Sequence, residues 1–359
     1  MAIYSLVALL LLTCVSFLFA IAWTPLLSHY LYKYKCWKKK IRSVTVDGRD
    51  ATITAKIEQG TNVFTPRMGG LLVWVTTLII ASVSLFFSGS AQTPLLRELN
   101  ILSRSQTWIP LFTLFTASLI GLFDDLFTIG VGKKGEKKEK GGGIRFRHRL
   151  FLVSLIGLIG GLWMFFKLDW HTLYVPFLGE FNIGLLFIPL FILVMDIFFM
   201  GSVVDGIDGL SGGILSIVFS SFAILAFIRG QYDLAIFCGV IFGALLAFLW
   251  FNIPPARFYL GETGIMGLTT TLAVVAFFLD AVVLLPLFAF IIVVEVATNF
   301  LQLASKRLRN GKKIFLAAPI HHHFQALGWP SYKVTMRFWL ISSITAMLGL
   351  IIALIDLRL

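Results

Sequence analysis

The sequence predicts an all-α polytopic membrane protein in which about ten transmembrane helices form a single domain over residues 1–359. The chain is 58% hydrophobic and only 13% charged, whereas a soluble domain carries roughly a quarter charged residues. Its apolar runs are close to the ~20 residues that a helix needs to cross a hydrocarbon core. Its basic residues lie almost wholly in alternate connections between these runs. A soluble fold is therefore not expected.

Ten apolar runs have the length and composition of transmembrane helices. The first run lacks a basic n-region and is too long for the apolar core of a signal peptide, so we expect it to remain as a membrane helix. The predicted spans are 3–29, 68–88, 107–123, 149–166, 183–200, 213–228, 233–250, 265–278, 283–304 and 336–356.

The basic residues predict the orientation of these spans. Five alternate connections hold 25 of the 30 Lys and Arg residues, and loops rich in these residues face the cytoplasm. With ten spans, both termini then lie outside. We therefore interpret the net charge of +12 as topology and attraction to anionic lipids of the bilayer, not as nucleic-acid binding. The predicted cytoplasmic loops are 30–67, 124–149, 201–212, 251–264 and 305–337.

Five polar motifs fall in these loops, which predicts one active site at the cytoplasmic face. The charged, glycine-rich stretch Gly132–Gly143 differs from them, because it cannot bury a core and predicts only a solvated linker. The motifs are TPRMGG at 65–70, FDD at 123–125, VDGIDGLSGG at 204–213, FNIPPARFYLGETG at 251–264 and APIHHHF at 318–324.

Asp124 and Asp125 end the third span. Adjacent carboxylates at a membrane boundary repel each other and are costly to desolvate, so a compensating cation or proton is expected. The pair could also simply face water. The functional interpretation is a divalent-cation or general-base site, in which the two side chains have different roles because they point about 100° apart on a helix.

Two further loops combine acids with glycine and aromatic residues. Asp205 and Asp208 are three residues apart, which places both carboxylates on one face of a helix, although Asp-Gly pairs are also common in turns. The next loop carries Asn252, Tyr259 and Glu262. An amide, a ring and a charged group suit a nucleotide base and its phosphates, and a plain turn explains Glu262 poorly.

His321, His322 and His323 are consecutive, so they cannot share one metal as a helical i, i+4 pair would. Histidines in a basic loop suit phosphate contacts, proton transfer or the orientation of an acid. A zinc site is the alternative, but it lacks an evident thiolate ligand.

Acids and bases at a membrane surface, without a Walker A loop or a nucleophilic Ser or Cys motif, predict phosphoryl transfer. Such chemistry uses Mg²⁺, held by one or two carboxylates, to neutralise phosphate oxygens. A soluble nucleotide and a lipid phosphate can meet only at such an interface.

These motifs resemble the polyprenyl-phosphate N-acetylhexosamine-1-phosphate transferase superfamily. The resemblance rests on TP-x-MGG, the Asp pair, DG-x-DGL and the F-N…P-A…G-acid-x-G loop, and it covers nearly the whole chain. The tail KKIFLAAPIHHHFQALGWPSYKVTMRFWLIS at 312–342 is similar to the phospho-N-acetylmuramoyl-pentapeptide transferase branch.

The resemblance implies transfer of phospho-MurNAc-pentapeptide from a UDP-linked amino-sugar donor to undecaprenyl phosphate, with Mg²⁺ required and UMP released. It also implies ten helices in a bacterial cytoplasmic membrane, both termini outside, often as a homodimer. The residues that match family positions are the catalytic Asp124, Asp125, Glu262 and His321–His323, the metal-binding Glu262 and Asp124, the uridine-side Gly206, Ile207, Asp208, Asn252 and Tyr259, the active-site Asp205, and Arg149 near the phosphates.

Five positions depart from the family pattern. Glu262 replaces the usual aspartate, and Arg67 stands where a small hydroxyl residue is common. Asn62 replaces a lysine, while Phe199 and Ser202 replace asparagines. These changes affect recognition of the donor more than the type of reaction.

Three other functions remain open from the sequence. A related transferase could use UDP-GlcNAc for another cell-envelope glycan, although the tail disfavours it. A transporter would place its polar site near the membrane midplane, often with internal repeats, and none is seen here. An inactive scaffold would not need the Asp pair or the histidine triplet.

Overall fold

The computed structural model describes residues 2–37, 64–86, 94–102, 105–130 and 143–356. Most of these residues are helical, and short 3₁₀ turns flank α6. The predicted linker at 132–142 and Asn62 lie outside the described residues. The helices are α1 (Ala2–Lys33), α2 (Leu71–Phe86), α3 (Pro94–Glu98), α4 (Ser105–Ile129), α5 (Phe146–Lys167), α6 (Phe187–Met200), α7 (Leu210–Ile228), α8 (Tyr232–Asn252), α9 (Gly261–Phe278), α10 (Leu285–Phe288), α11 (Phe290–Leu308), α12 (Ile320–Ala326) and α13 (Ser331–Asp356).

Each predicted span overlaps a helix among the described residues. Eight helical stretches in the described residues are long and apolar enough to cross a membrane, which confirms a polytopic membrane protein. The remaining two predicted spans are the shorter α2 and the α10–α11 pair, where the helix is interrupted near Ala289 and ends with Lys306 and Arg307. The count of ten spans stays a prediction.

The prediction of an all-α fold is wrong at one connection. Strands β1 (Thr172–Val175) and β2 (Gly179–Asn182) form an antiparallel hairpin between α5 and α6, with Thr172 opposite Asn182. The first strand is rich in β-branched and aromatic residues, and Phe177 and Gly179 in the turn have positive φ. This hairpin is too short to show in a hydropathy pattern.

The helices form an inner group surrounded by an outer one. Within their most apolar windows, 94% of α9, 78% of α8 and 72% of α7 is buried, against 22% of α1 and 28% of α13. Small residues bring α4 against α9: a Cβ on Gly267 would collide with the Ser118 hydroxyl, and one on Gly121 would collide with the backbone of Glu262. Close backbone approach of this kind is typical of packed membrane helices. It places the end of α4 beside the start of α9.

Candidate active site

Two aspartates bind the first backbone N–H groups of α9. Asp205 Oδ2 accepts a hydrogen bond from Gly261 N at 2.9 Å, and Asp125 Oδ2 accepts one from Thr263 N at 3.0 Å. The first N–H groups of a helix have no partner within the helix, and its N-terminus favours negative charge. Gly261 has φ +73°, and a Cβ there would lie 2.6 Å from Asp125 Oδ2. Glycine therefore permits this approach.

Arg149 joins α4 to α9 through two carboxylates. Its Nη1 lies 3.2 Å from Asp124 Oδ2 and 3.0 Å from Glu262 Oε1. Asp124 Oδ1 also accepts a hydrogen bond from Ile144 N at 2.5 Å. The neighbouring Asp124 and Asp125 thus face different elements, as their separation on the helix predicts.

Arg67 approaches the same acids from the TPRMGG segment, with Nε 4.0 Å from Asp125 Oδ1. This segment is fixed to the loop before α9, because Gly69 N donates to Tyr259 O and Tyr259 N donates to Pro66 O, each at 2.8 Å. We call Asp124, Asp125, Asp205 and Glu262 the acid cluster. Burial raises the pKa of Asp205, and the charge of Arg67 partly offsets that rise.

The predicted uridine-side residues mainly form hydrogen bonds between the DG-x-DG loop before α7 and the loop before α9. Asn252 is buried, its Oδ1 accepts from Gly209 N at 2.9 Å, and its Nδ2 donates to Phe258 O at 2.8 Å. Asp208 Oδ2 accepts from Ala256 N at 3.1 Å, and Ile207 is buried. Burial and the neighbouring Asp208 raise the pKa of Tyr259. These residues shape the site, and their contact with uridine stays a prediction.

The histidine triplet forms the first turn of α12, and its three rings have different partners. His321 is fully buried, and the backbone of Gly206 packs against its Nε2 edge. His322 Nδ1 lies 2.7 Å from Gln325 Oε1, and burial, aided by His321, lowers the pKa of His322 to about 3. His323 Nδ1 accepts from Leu316 N at 3.2 Å. Of the three, His321 is the one that reaches the DG-x-DG loop.

Glu295, on α11, is a residue that sequence reasoning did not assign to the site. Its Oε2 lies 2.8 Å from His321 Nδ1, and both side chains are fully buried. An acid inside an apolar run is a signal of function. Its partner could not be read from the sequence, because it lies 26 residues away on another helix.

The acid cluster provides oxygen ligands of the kind that Mg²⁺ prefers. No group of three or more His, Cys, Asp or Glu is placed to hold a metal among the described residues. However, Mg²⁺ in nucleotide enzymes commonly uses one or two carboxylates together with water and substrate phosphates. Two buried oxygens of the cluster, Asp125 Oδ1 and Glu262 Oε2, have no hydrogen-bond partner. This donor set fits the ion.

Comparison with known proteins assigns the chain to a family. The sequence model of glycosyl transferase family 4 matches residues 107–280. A phospho-N-acetylmuramoyl-pentapeptide-transferase of Chloroflexus aggregans is 30% identical, covering 91% of this chain and 84% of the relative. The proteins of the same name from Chloroflexus aurantiacus and Lacticaseibacillus paracasei are 32% and 34% identical, covering 81% and 78% of this chain and 77% and 81% of the relatives. The chain therefore belongs to the phospho-N-acetylmuramoyl-pentapeptide-transferase family.

Proposed function

We propose that this protein transfers phospho-N-acetylmuramoyl-pentapeptide from a UDP-linked donor to undecaprenyl phosphate, releasing UMP and forming the first lipid-linked peptidoglycan precursor. Family membership supports the reaction. The observation that carries it is the acid cluster with two arginines at the ends of membrane helices. There a soluble nucleotide can reach a lipid phosphate.

The residues of the cluster suit the steps of this transfer. An oxygen of the acceptor phosphate would bond to the phosphorus next to the sugar, and the bond from that phosphorus to UMP would break, with the electron pair leaving on UMP. Asp124 or Asp125 would position or deprotonate the acceptor phosphate. Arg149 would neutralise charge on the phosphate oxygens. Glu262 and Asp124 would hold Mg²⁺, which supplies further charge neutralisation when bound.

The proposed reaction also implies where the protein and its site lie in the cell. The protein would lie in the inner membrane of a bacterium, with the acid cluster facing the cytoplasm and both termini outside. It would use the bilayer as the source of its acceptor and could pair with a second copy as a homodimer.

An assay with the full chain tests the function. Purified protein is given Mg²⁺, undecaprenyl phosphate and either UDP-MurNAc-pentapeptide or UDP-GlcNAc, and UMP and the lipid product are measured. We expect product with the muramoyl donor and a loss of at least ~100-fold on Asp125→Asn. The exposed Asp169 provides the control, and Asp169→Asn should keep full activity.

The same assay separates the alternatives. Product from UDP-GlcNAc alone would favour the related transferase, and no product from either donor would defeat both. Glu262→Asp should keep activity and Glu262→Gln should lose it, if this carboxylate binds the metal. A covalent phospho-sugar trapped on Asp124 would replace direct attack with a two-step route.

A further inference from the structure

Arg67 is a buried arginine with few contacts. Its side chain is only 17% exposed, and among the described residues the nearest acid oxygen is Asp125 Oδ1, 4.0 Å from its Nε. The Nε atom is buried and has no hydrogen-bond partner. A buried charge is costly unless it is paired and hydrogen-bonded. The Nε of the guanidinium thus has a donor that the described residues do not use.

The surrounding charges keep Arg67 a cation. Burial by itself lowers the pKa of Arg67. Together, Asp125, Asp205, Glu262 and Asp124 raise this pKa by more, so the net shift is upward. Arg149 differs, because two carboxylates lie within 3.2 Å of its Nη1. Of these two arginines, Arg67 is therefore better able to bind an incoming anion without first losing a close ion pair.

The backbone around Arg67 is anchored by hydrogen bonds to two other segments. Its backbone N donates to Cys36 O at 2.8 Å, and Gly70 N, three residues on, donates to Leu260 O at 2.8 Å. Gly70 also packs directly on the backbone of Gly264. A backbone anchored in this way places the guanidinium beside the acid cluster, and its planar fork can donate two hydrogen bonds to a phosphate.

The two arginines approach the cluster from different sides. Arg149 belongs to α5, an outer helix of which only 33% of the apolar window is buried. Arg67 belongs to a segment bonded to Tyr259 and Leu260, in the loop before the buried helix α9. Tyr259 is one of the predicted uridine-side residues, so Arg67 lies beside the pocket predicted for the nucleotide.

We propose that Arg67 binds the pyrophosphate of the nucleotide donor and is a determinant of donor affinity in this protein. The inference rests on the proposed function and adds a binding residue to it.

Ligand affinity measured without metal tests the proposal. The full chain in lipid nanodiscs, with EDTA present, is titrated calorimetrically with UDP and with uridine. Arg67→Met should weaken UDP binding by about 10- to 100-fold, the size of a lost charged hydrogen bond, and leave uridine binding unchanged. The UDP affinity of Arg67→Lys should lie between those of the wild type and Arg67→Met. Arg147, exposed in the first turn of α5, is the matched control, and Arg147→Met should leave both affinities unchanged.

Four results would contradict the proposal. If Arg67→Met binds UDP within twofold of the wild type, Arg67 does not contact the pyrophosphate. If UDP and uridine binding weaken equally, Arg67 acts as a structural counter-ion to the acids. A higher KM for undecaprenyl phosphate with unchanged UDP affinity would assign it to the acceptor. If the Met variant unfolds, Arg67→Gln replaces it, and wild-type UDP affinity in Arg67→Gln has the same effect. A wild type that binds no UDP would instead defeat the proposed function itself.

Discussion

At the scale of single residues, the carboxylates of the acid cluster are stabilised by backbone N–H groups or by an arginine. Asp125 and Asp205 accept the first N–H groups of α9, whereas Asp124 and Glu262 share Arg149. Four acids so close together would repel one another strongly in the absence of such partners. The arrangement gives each acid a partner beside the membrane and leaves oxygens on Asp125 and Glu262 without hydrogen-bond partners.

The pair formed by Glu295 and His321 is the second polar centre. Because Nδ1 of His321 faces Glu295, the other ring nitrogen, Nε2, is turned toward the backbone of Gly206. The acid therefore determines which nitrogen of the ring is available near the DG-x-DG loop. We interpret Glu295 as a positioning residue for His321.

Removing the carboxylate of Glu295 should lower the stability of the folded protein. Glu295→Ala leaves a buried histidine without its hydrogen-bond partner, so we expect a loss of about 1–3 kcal/mol in the free energy of unfolding, measured by thermal or denaturant unfolding in detergent. Glu295→Gln keeps an acceptor oxygen for Nδ1 and should lose less. Glu180, exposed in the hairpin, is the control, and Glu180→Ala should stay within ~0.5 kcal/mol of the wild type. Equal losses in the two alanine variants would show that the pair adds no stability.

At the scale of elements, the long apolar helices could be predicted from the sequence and the short elements could not. The helices that contain the predicted spans were readable because ~20 apolar residues have few alternatives in a membrane. Each strand of the β1–β2 hairpin has 4 residues and α12 has 7. Elements this short depend on tertiary packing. The break between α10 and α11 at Ala289 also lies inside a continuous apolar run, so hydropathy does not show it.

The contact between the TPRMGG segment and α9 can be tested at Gly264. A Cβ there would lie 2.6 Å from the Gly70 Cα, so Gly264→Ala should separate the two segments and shift Arg67 from the cluster. We expect at least ~10-fold lower transferase activity and a lower Tm. Gly161 on α5 is the control, because its Cβ would meet Phe191 at an ordinary 3.5 Å. Unchanged activity in Gly264→Ala would mean that the segments can separate without harm.

At the scale of the whole molecule, charge placement and motif placement agree in predicting one site. Sequence reasoning named the acids and Arg149, which the structure brings together, because loops of one membrane face must meet there. It did not assign a role to Arg67 or a partner to Glu295. Both depend on contacts between segments far apart in the chain, and no local pattern encodes them.

The predicted orientation can be measured by labelling from one side. In a chain with Cys14, Cys36 and Cys238 replaced by Ala, single cysteines are placed at Lys313 and at Leu178, both exposed. A membrane-impermeant maleimide added to intact spheroplasts should label Leu178→Cys in the hairpin and spare Lys313→Cys until the cells are lysed, because loops rich in Lys and Arg stay inside. The reverse pattern would invert the topology.

The burial of α9 has a consequence for how the bilayer influences the site. A change in membrane thickness acts by tilting helices that touch lipid, and 94% of the apolar window of α9 is shielded from it. Of the elements that carry the acid cluster and Arg149, α5 is the one most open to lipid. Hydrophobic mismatch would therefore act on the site most strongly through α5 and its Arg149, and less through α4, of whose apolar window 56% is buried.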